Sequence, residues 1–422
     1  MKKILKGLGL AALAIVVIAA GAALYVHVRG VPRYDVERVD LKVDATPERV
    51  ARGRRTVQSL CAGCHLNPTT GALTGKVMED TPPQFGMSYS RNITQDRTHG
   101  IGGWTDGELA YLLRTGIARD GRYTPPWMVK LPHMSDDDLL DVIAFLRSDD
   151  PMVRPAAVPD RDSEPTFLTK LLTYVAFKPL PYPRQPVNAP PTTDRVAYGR
   201  YLVVGKLDCY GCHSADFAKM NIEEPEKSAG YLGGGNRMQD TAGKAVYTAN
   251  ITPHPDTGIG KWTEEQLARA VRGGIRPDNR PLRYPMQPYA ELTDDEVSAI
   301  FAYLRSVPPL ENRVPASEPY VLEANAGAGK QVYYKYACNT CHGDTGVGLY
   351  DLRKGLAAYP TDEALIAYIK HPERTKPGVK MPTWDGVIAE EEYPPLAAYV
   401  RSLGPKPAAA AGGPAATAPP GT

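Results

Sequence analysis

Three peptides of the form Cys-X-X-Cys-His take up every cysteine in this chain: Cys61-Ala62-Gly63-Cys64-His65, Cys209-Tyr210-Gly211-Cys212-His213 and Cys338-Asn339-Thr340-Cys341-His342. Two thiols three positions apart can each form a thioether to one vinyl group of the same haem. The histidine that follows lies beneath the porphyrin and ligates iron, so the motif is the attachment signature of c-type haem. A thioredoxin-like redox pair has no need of the histidine, and a zinc site wants four ligands drawn from close pairs. Three independent copies with no stray cysteine therefore read as three covalently bound haem c groups, with His65, His213 and His342 as iron ligands.

Each motif sits inside a repeated unit, and the repeat selects the opposite iron ligand. Thr46-Pro47-Glu48 starts a helix well, with a capping hydroxyl, a proline in the first turn and an acid beside the positive helix end. That helix, 47–60, delivers the first motif; runs 195–208 and 327–337 deliver the other two. Each unit closes on a helix ending Ala, aromatic, aliphatic, Arg, Ser: Ala144–Ser148, Ala302–Ser306 and Ala398–Ser402. The first two closing helices begin with capping signals, at Ser135 and Thr293. Units one and two are closer relatives. Asn92-Ile93-Thr94, Gly100-Ile101-Gly102, Trp104-Thr105, Arg114 and Gly116 recur at one constant spacing as Asn250-Ile251-Thr252, Gly258-Ile259-Gly260, Trp262-Thr263, Arg272 and Gly274. The second unit is longer between its haem motif and Asn250, and the glycine-rich stretch Gly230–Asn236 is the expected site of the insertion.

At that same spacing Met128 corresponds to Met286, whereas Met134 corresponds to Leu292 and reads as core. In the third unit Met381 is the only methionine after the attachment motif. Met128, Met286 and Met381 are thus the expected sixth ligands. A methionine raises the haem potential and fills the site, which suits electron transfer. The competing ligands His99, His133 and His254 do not recur between the units, and His371 sits beside Pro372 in no special pattern.

These elements imply a mainly α chain of three tandem class I-like cytochrome c domains after an N-terminal transmembrane helix. Lys2, Lys3 and Lys6 precede an uncharged apolar run reaching Val26, about the ~20 residues that span a bilayer. Lysines ahead of the run hold that end in the cytoplasm, so the haem domains are expected on the outer face of a bacterial cytoplasmic membrane. The rival reading is a signal peptide cleaved near Ala20-Gly21-Ala22; the length of the run favours an anchor. The expected layout is an anchor at 1–28, domains at 29–148, 194–307 and 326–405, linkers at 149–193 and 308–325, and a disordered tail at 406–422. Within the first linker Phe167–Phe177 is apolar enough to dock on a membrane or partner, though packing onto its own domains is the commoner fate of such a stripe. Forty prolines and 39 glycines suit loop-rich domains whose core is largely a haem, and a net charge of +2 gives no footing for nucleic acid.

The block from Asn-Ile-Thr through Gly-Ile-Gly-X-Trp-Thr to a Pro-Met pair before an acid-capped helix resembles the triheme cytochrome c subunits of bacterial membrane-bound alcohol, aldehyde and gluconate dehydrogenases. The likeness covers 47–405. It implies an electron relay without substrate chemistry of its own. The donor would be a catalytic dehydrogenase subunit or another membrane oxidoreductase, and the acceptor quinone, a soluble cytochrome or a terminal oxidase. The competing functions are a haem enzyme, peroxidase-like or thiosulfate-oxidising, with one open or non-methionine haem, and a redox shuttle or sensor.

Overall fold

A computed structural model describes residues 2–318, 322 and 325–404. It forms two compact units, Met1–Val321 and Leu322–Thr422.

The first unit opens with α1 (Lys2–Arg29), long and apolar enough to cross a membrane and largely exposed until Val26. The stretch after it, expected as a tether, is pinned to the protein: Tyr34 N donates to Gly121 O at 2.8 Å and Val43 N to Asp106 Oδ2 at 2.9 Å. Helix α2 (Pro47–Leu60) starts where its capping signals placed it, with Thr46 Oγ1 accepting from Arg49 N at 3.3 Å. It runs directly into the single turn α3 (Ala62–His65). Then come β1 (Gly86–Met87), α4 (Asp106–Thr115) with a complete Thr105/Glu108 capping box, and the closing helix α5 (Asp136–Leu146). Next are β2 (Glu164–Pro165), antiparallel to β1, and α6 (Phe167–Val175).

The second repeat follows in the same body. It comprises α7 (Arg195–Arg200) continued by a π-helical turn Tyr201–Lys206, α8 (Cys209–His213), the hairpin β3 (Arg237–Gln239) and β4 (Ala245–Tyr247), α9 (Glu264–Gly273), and α10 (Asp294–Ser306). The unit Leu322–Thr422 contains α11 (Ala328–Lys335), α12 (Cys338–His342), α13 (Asp362–Lys370), α14 (Pro372–Thr375) and α15 (Tyr393–Ser402).

In all three repeats the first helix crosses the closing one at a glycine. A Cβ on Gly53 would lie 1.8 Å from Asp141 O, on Gly199 1.9 Å from Ala299 O, and on Gly329 2.0 Å from Pro395 O. No side chain fits there, so backbone packs on backbone. Gly199→Ala must push α7 off α10 and is expected to cost about 1–3 kcal/mol. The check is the thermal midpoint of the holoprotein, and an unchanged midpoint would mean that the crossing relaxes freely.

The segment 149–193, expected as a linker between domains, is instead a strap on the first repeat. Leu73 N donates to Met152 O and Gln95 N to Val153 O, Tyr182 stacks on Tyr111 at 5.8 Å, and Leu180 N donates to Thr115 O at 3.1 Å. Backbone groups so placed would otherwise go unpaired, and that need is invisible in a proline-rich composition. The described part of 308–325 behaves alike on the second repeat, where Leu310 O accepts from Asn250 Nδ2 and Asn312 Nδ2 donates to Gly233 O and Gly234 O. The tail 406–422 lies outside the described residues.

The extra length of the second repeat also sits elsewhere than expected. Gly75 N donates to His65 O and Gly234 N to His213 O, at 2.9 and 2.6 Å, and both glycines have positive φ. The glycine-rich turn is therefore common to both repeats. The inserted residues precede Gly234, around the short turns Phe217–Lys219 and Pro225–Lys227.

Candidate haem sites

Each Cys-X-X-Cys-His peptide forms one helical turn, α3, α8 or α12, which brings the two thiols to one face with the histidine closing the turn. Before α8 and α12 the chain turns through left-handed residues, Asp208 (φ +51°) and Ala337 (φ +54°); α3 needs none because α2 leads straight in.

The three histidines share one setting. His65 Nδ1 meets Arg91 O at 2.7 Å, His213 Nδ1 meets Ala249 O at 2.7 Å, and His342 Nδ1 meets Tyr350 O at 2.8 Å. A proton on Nδ1 shared with a carbonyl fixes the ring and leaves the Nε2 lone pair for a metal. Burial lowers the pKa of all three, which keeps them neutral, as a ligand must be. Burial also pushes the thiols of Cys61, Cys209 and Cys338 up to about 12, that of Cys341 to about 11, and that of Cys64 upward.

The Asn-Ile-Thr block now has a physical role. Asn92 Oδ1 accepts from Thr94 N and Oγ1 at 2.9 and 2.7 Å, and its Nδ2 donates to Ala156 O and Val158 O. Asn250 repeats this, with Thr252 N and Oγ1 at 2.9 and 2.7 Å and Nδ2 on Leu310 O. Each asparagine thereby locks the turn that follows the carbonyl of Arg91 or Ala249, the group that orients the histidine.

Met128, Met286 and Met381 lie half-buried on irregular loops ahead of the closing helices. Two arginines that the sequence reading left without a role brace the first two loops. Arg114, 1% exposed, donates from Nη1 to Leu131 O at 2.7 Å and Met134 O at 2.5 Å, and pairs through Nη2 with Asp136 at 2.7 Å. Arg272 pairs with Asp294 at 2.7 Å in the equivalent place. Their recurrence at the constant spacing was the available signal. Met134 and its counterpart Leu292 are both buried core.

The spare histidines have other partners. His133 Nε2 meets Ile222 O at 2.6 Å, His254 Nδ1 meets Thr257 Oγ1 at 2.9 Å, and His371 lies between Glu373 and Asp385, 3.4 Å from each; His99 sits in a turn built on Asp96.

Several buried polar atoms await an acceptor or donor that the polypeptide does not supply: Nε and Nη2 of Arg272, Nε of Arg276, both amide atoms of Gln58 and Oγ1 of Thr74. A buried, unpaired guanidinium nitrogen is costly. Haem carries two propionates that could satisfy such donors, so the residues present fit the group.

Within the first body the first attachment turn meets the Met286 loop of the second repeat. Gln287 Nε2 donates to Ser59 O at 3.1 Å and packs against Gly63, and Tyr284 OH donates to Asp80 Oδ2 at 2.8 Å. Around this seam Arg55 pairs with Glu296 at 2.5 Å, Lys206 pairs with Asp138 at 2.9 Å, and Tyr201 OH bonds Ser135 Oγ at 2.9 Å. Glu296 is also the third residue of the Thr293 capping box. Sequence pattern reveals that cap but not the arginine from the other repeat.

Residues 196–308 match the family described as "Cytochrome c" and residues 324–400 the family described as "Cytochrome C oxidase, cbb3-type, subunit III". The chain is 25% identical over 375 residues to the cytochrome c subunit of the quinone alcohol dehydrogenase of Gluconacetobacter polyoxogenes, covering 81% of this chain and 77% of that one. It is 26% identical to the gluconate 2-dehydrogenase cytochrome c subunit of Pantoea cypripedii, over 81% and 82% of the two chains. It is 28% identical to the fructose dehydrogenase cytochrome subunit of Gluconobacter japonicus, over 69% and 63%.

Proposed function

We propose that this chain, which is similar to the cytochrome c subunits of alcohol, fructose and gluconate dehydrogenases, is a c-type cytochrome acting as a membrane-tethered three-haem electron relay. Its donor is the catalytic subunit of a membrane-associated dehydrogenase and its acceptor quinone or a terminal oxidase. The observation that carries this reading is the threefold recurrence of one setting: a Cys-X-X-Cys-His turn whose half-buried histidine is fixed through Nδ1 by a backbone carbonyl.

When bound, haem supplies one-electron chemistry; the chain supplies position, ligation and dryness. Cys61 and Cys64, Cys209 and Cys212, and Cys338 and Cys341 would hold the three groups by thioethers. His65, His213 and His342 would ligate iron through Nε2, and Met128, Met286 and Met381 would offer a thioether sulfur as the further ligand. Arg114 holds the chain that follows Met128 against α4, and Arg272 pins the start of α10 to α9. The packing of the first attachment turn against the Met286 loop supports direct electron passage between the first two groups. The failure of any spare histidine to recur between the two close repeats speaks against bis-histidine ligation, and the methionine at the same point of both speaks against the peroxidase-like or thiosulfate-oxidising alternative, which needs an open iron.

The test is gentle detergent extraction followed by purification through this chain. A dehydrogenase activity should co-purify, and its substrate should reduce all three haems. A chain that elutes alone, with haems that no alcohol, sugar or gluconate reduces, would refute the subunit reading. The tether is tested separately: replacing residues 1–28 by a cleavable leader is expected to turn a holoprotein that only detergent extracts into one that a carbonate wash releases, with its full haem content.

A further inference from the structure

Helix α6 is inside out for a helix of a water-soluble surface. Its protein-facing side is polar: Thr169 and Thr173 are 4% and 1% exposed, and Thr169 Oγ1 donates to Phe85 O at 2.7 Å. Its outward side is apolar, with Phe167, Leu168 and Val175 at 42%, 40% and 66% exposure. Hydrophobic burial drives the reverse arrangement when water is the neighbour. The apolar face does not end with the helix. Phe85 beneath it meets the half-exposed ring of Trp127 at 6.1 Å between centroids, and Met87 on β1 is 49% exposed. The segment 167–178 carries two lysines, Lys170 and Lys178, and no acid.

What covers this face follows from where α1 leaves the protein. The last turns of α1 lie on α6: Tyr25 meets Tyr174 edge-on at 6.0 Å, and Val26 is 5% exposed. If α1 spans the bilayer, α6 is held within a few ångströms of its exit and cannot be far from lipid.

We propose that α6, with Met87 and Trp127, is an interfacial helix that lies in the outer leaflet beside the anchor. The occupant of its apolar face is the lipid surface itself: acyl chains against Phe167, Leu168 and Val175, anionic headgroups near Lys170 and Lys178. Helices of this kind bury their apolar side at the headgroup boundary and draw on basic residues for anionic lipid. Two contacts, one spanning and one lying flat, fix the orientation of the first repeat as a single helix could not. Met128 follows Trp127 directly, so the first haem unit becomes the membrane-proximal one. The proposal rests on the reading of α1 as a membrane anchor.

The experiment is amide hydrogen exchange on full-length holoprotein in phosphatidylethanolamine–phosphatidylglycerol nanodiscs, wild type against the variant F167Q/L168Q/V175Q. Glutamine is at least as good a helix former as phenylalanine or valine, so faster exchange would not reflect a lost propensity. Over 167–176 the wild type is expected to exchange roughly tenfold more slowly than the variant, with α10 unchanged and both proteins disc-bound through α1. Equal exchange in the two would overturn the proposal. So would slowing that appears only once a co-purified dehydrogenase is added back, which would make this face a protein dock. Holoprotein that does not enter discs at all would remove the anchor reading and the proposal with it.

Discussion

Replacing Met286 with alanine is expected to lower the potential of one haem by on the order of 0.1–0.3 V, a part of the ~0.8 V that axial ligands command. Covalent attachment should survive, because the thioethers and His213 are untouched. Met128→Ala and Met381→Ala should each do the same to a different haem. The neutral thioether stabilises the reduced iron, and its loss admits water or a harder ligand that favours the oxidised state. Potentiometric titration followed in the visible bands checks this. Three unaltered potentials in any one variant would mean that its methionine is a core residue, a common role for this side chain. Leucine variants of Met134, buried in the core, are the control and should leave every potential in place.

Cys212→Ala is expected to weaken or abolish attachment of the second haem, costing up to about one third of the chain's haem c, since only the Cys209 thioether would remain. The first haem should remain, although its attachment turn packs on the Met286 loop. The seam between the two repeats is held by Arg55–Glu296, Lys206–Asp138 and Tyr201–Ser135 rather than by the porphyrin alone. The pyridine haemochrome of the purified variant gives the count, and reduction by the co-purified donor gives the function. A variant whose haem content and haemochrome band both match the wild type would contradict the placement of the second group, since a haem held by Cys209 alone keeps one vinyl group and shifts that band.

Local signals carried much of the fold. Thr46-Pro47-Glu48, Ser135 and Thr293 are helix starts because the orphan amides of a first turn need a nearby oxygen, and that need is met within three residues. The haem motif is likewise a local constraint, two bonds and a ligand within five positions. What escaped the sequence was long-range. The straps at 149–193 and 308–318 look like linkers because their partners, such as Asn92, Leu73 and Asn250, lie far away in sequence. Gly53, Gly199 and Gly329 sit in ordinary helical runs, and their purpose appears only when a second helix crosses them. Glu296 is read fully by its cap and only half understood without Arg55. The apolar run 167–177 was legible as amphipathic, but periodicity alone could not say which side faced the protein; the buried threonines decide it.

The iron ligands decide whether this chain is a relay. Near-infrared magnetic circular dichroism of the oxidised full-length holoprotein reports them haem by haem. The relay described above predicts three low-spin histidine–methionine centres and no other component. A high-spin centre, or a bis-histidine one, would contradict it, for that haem would then be set apart for chemistry or sensing rather than for passing electrons.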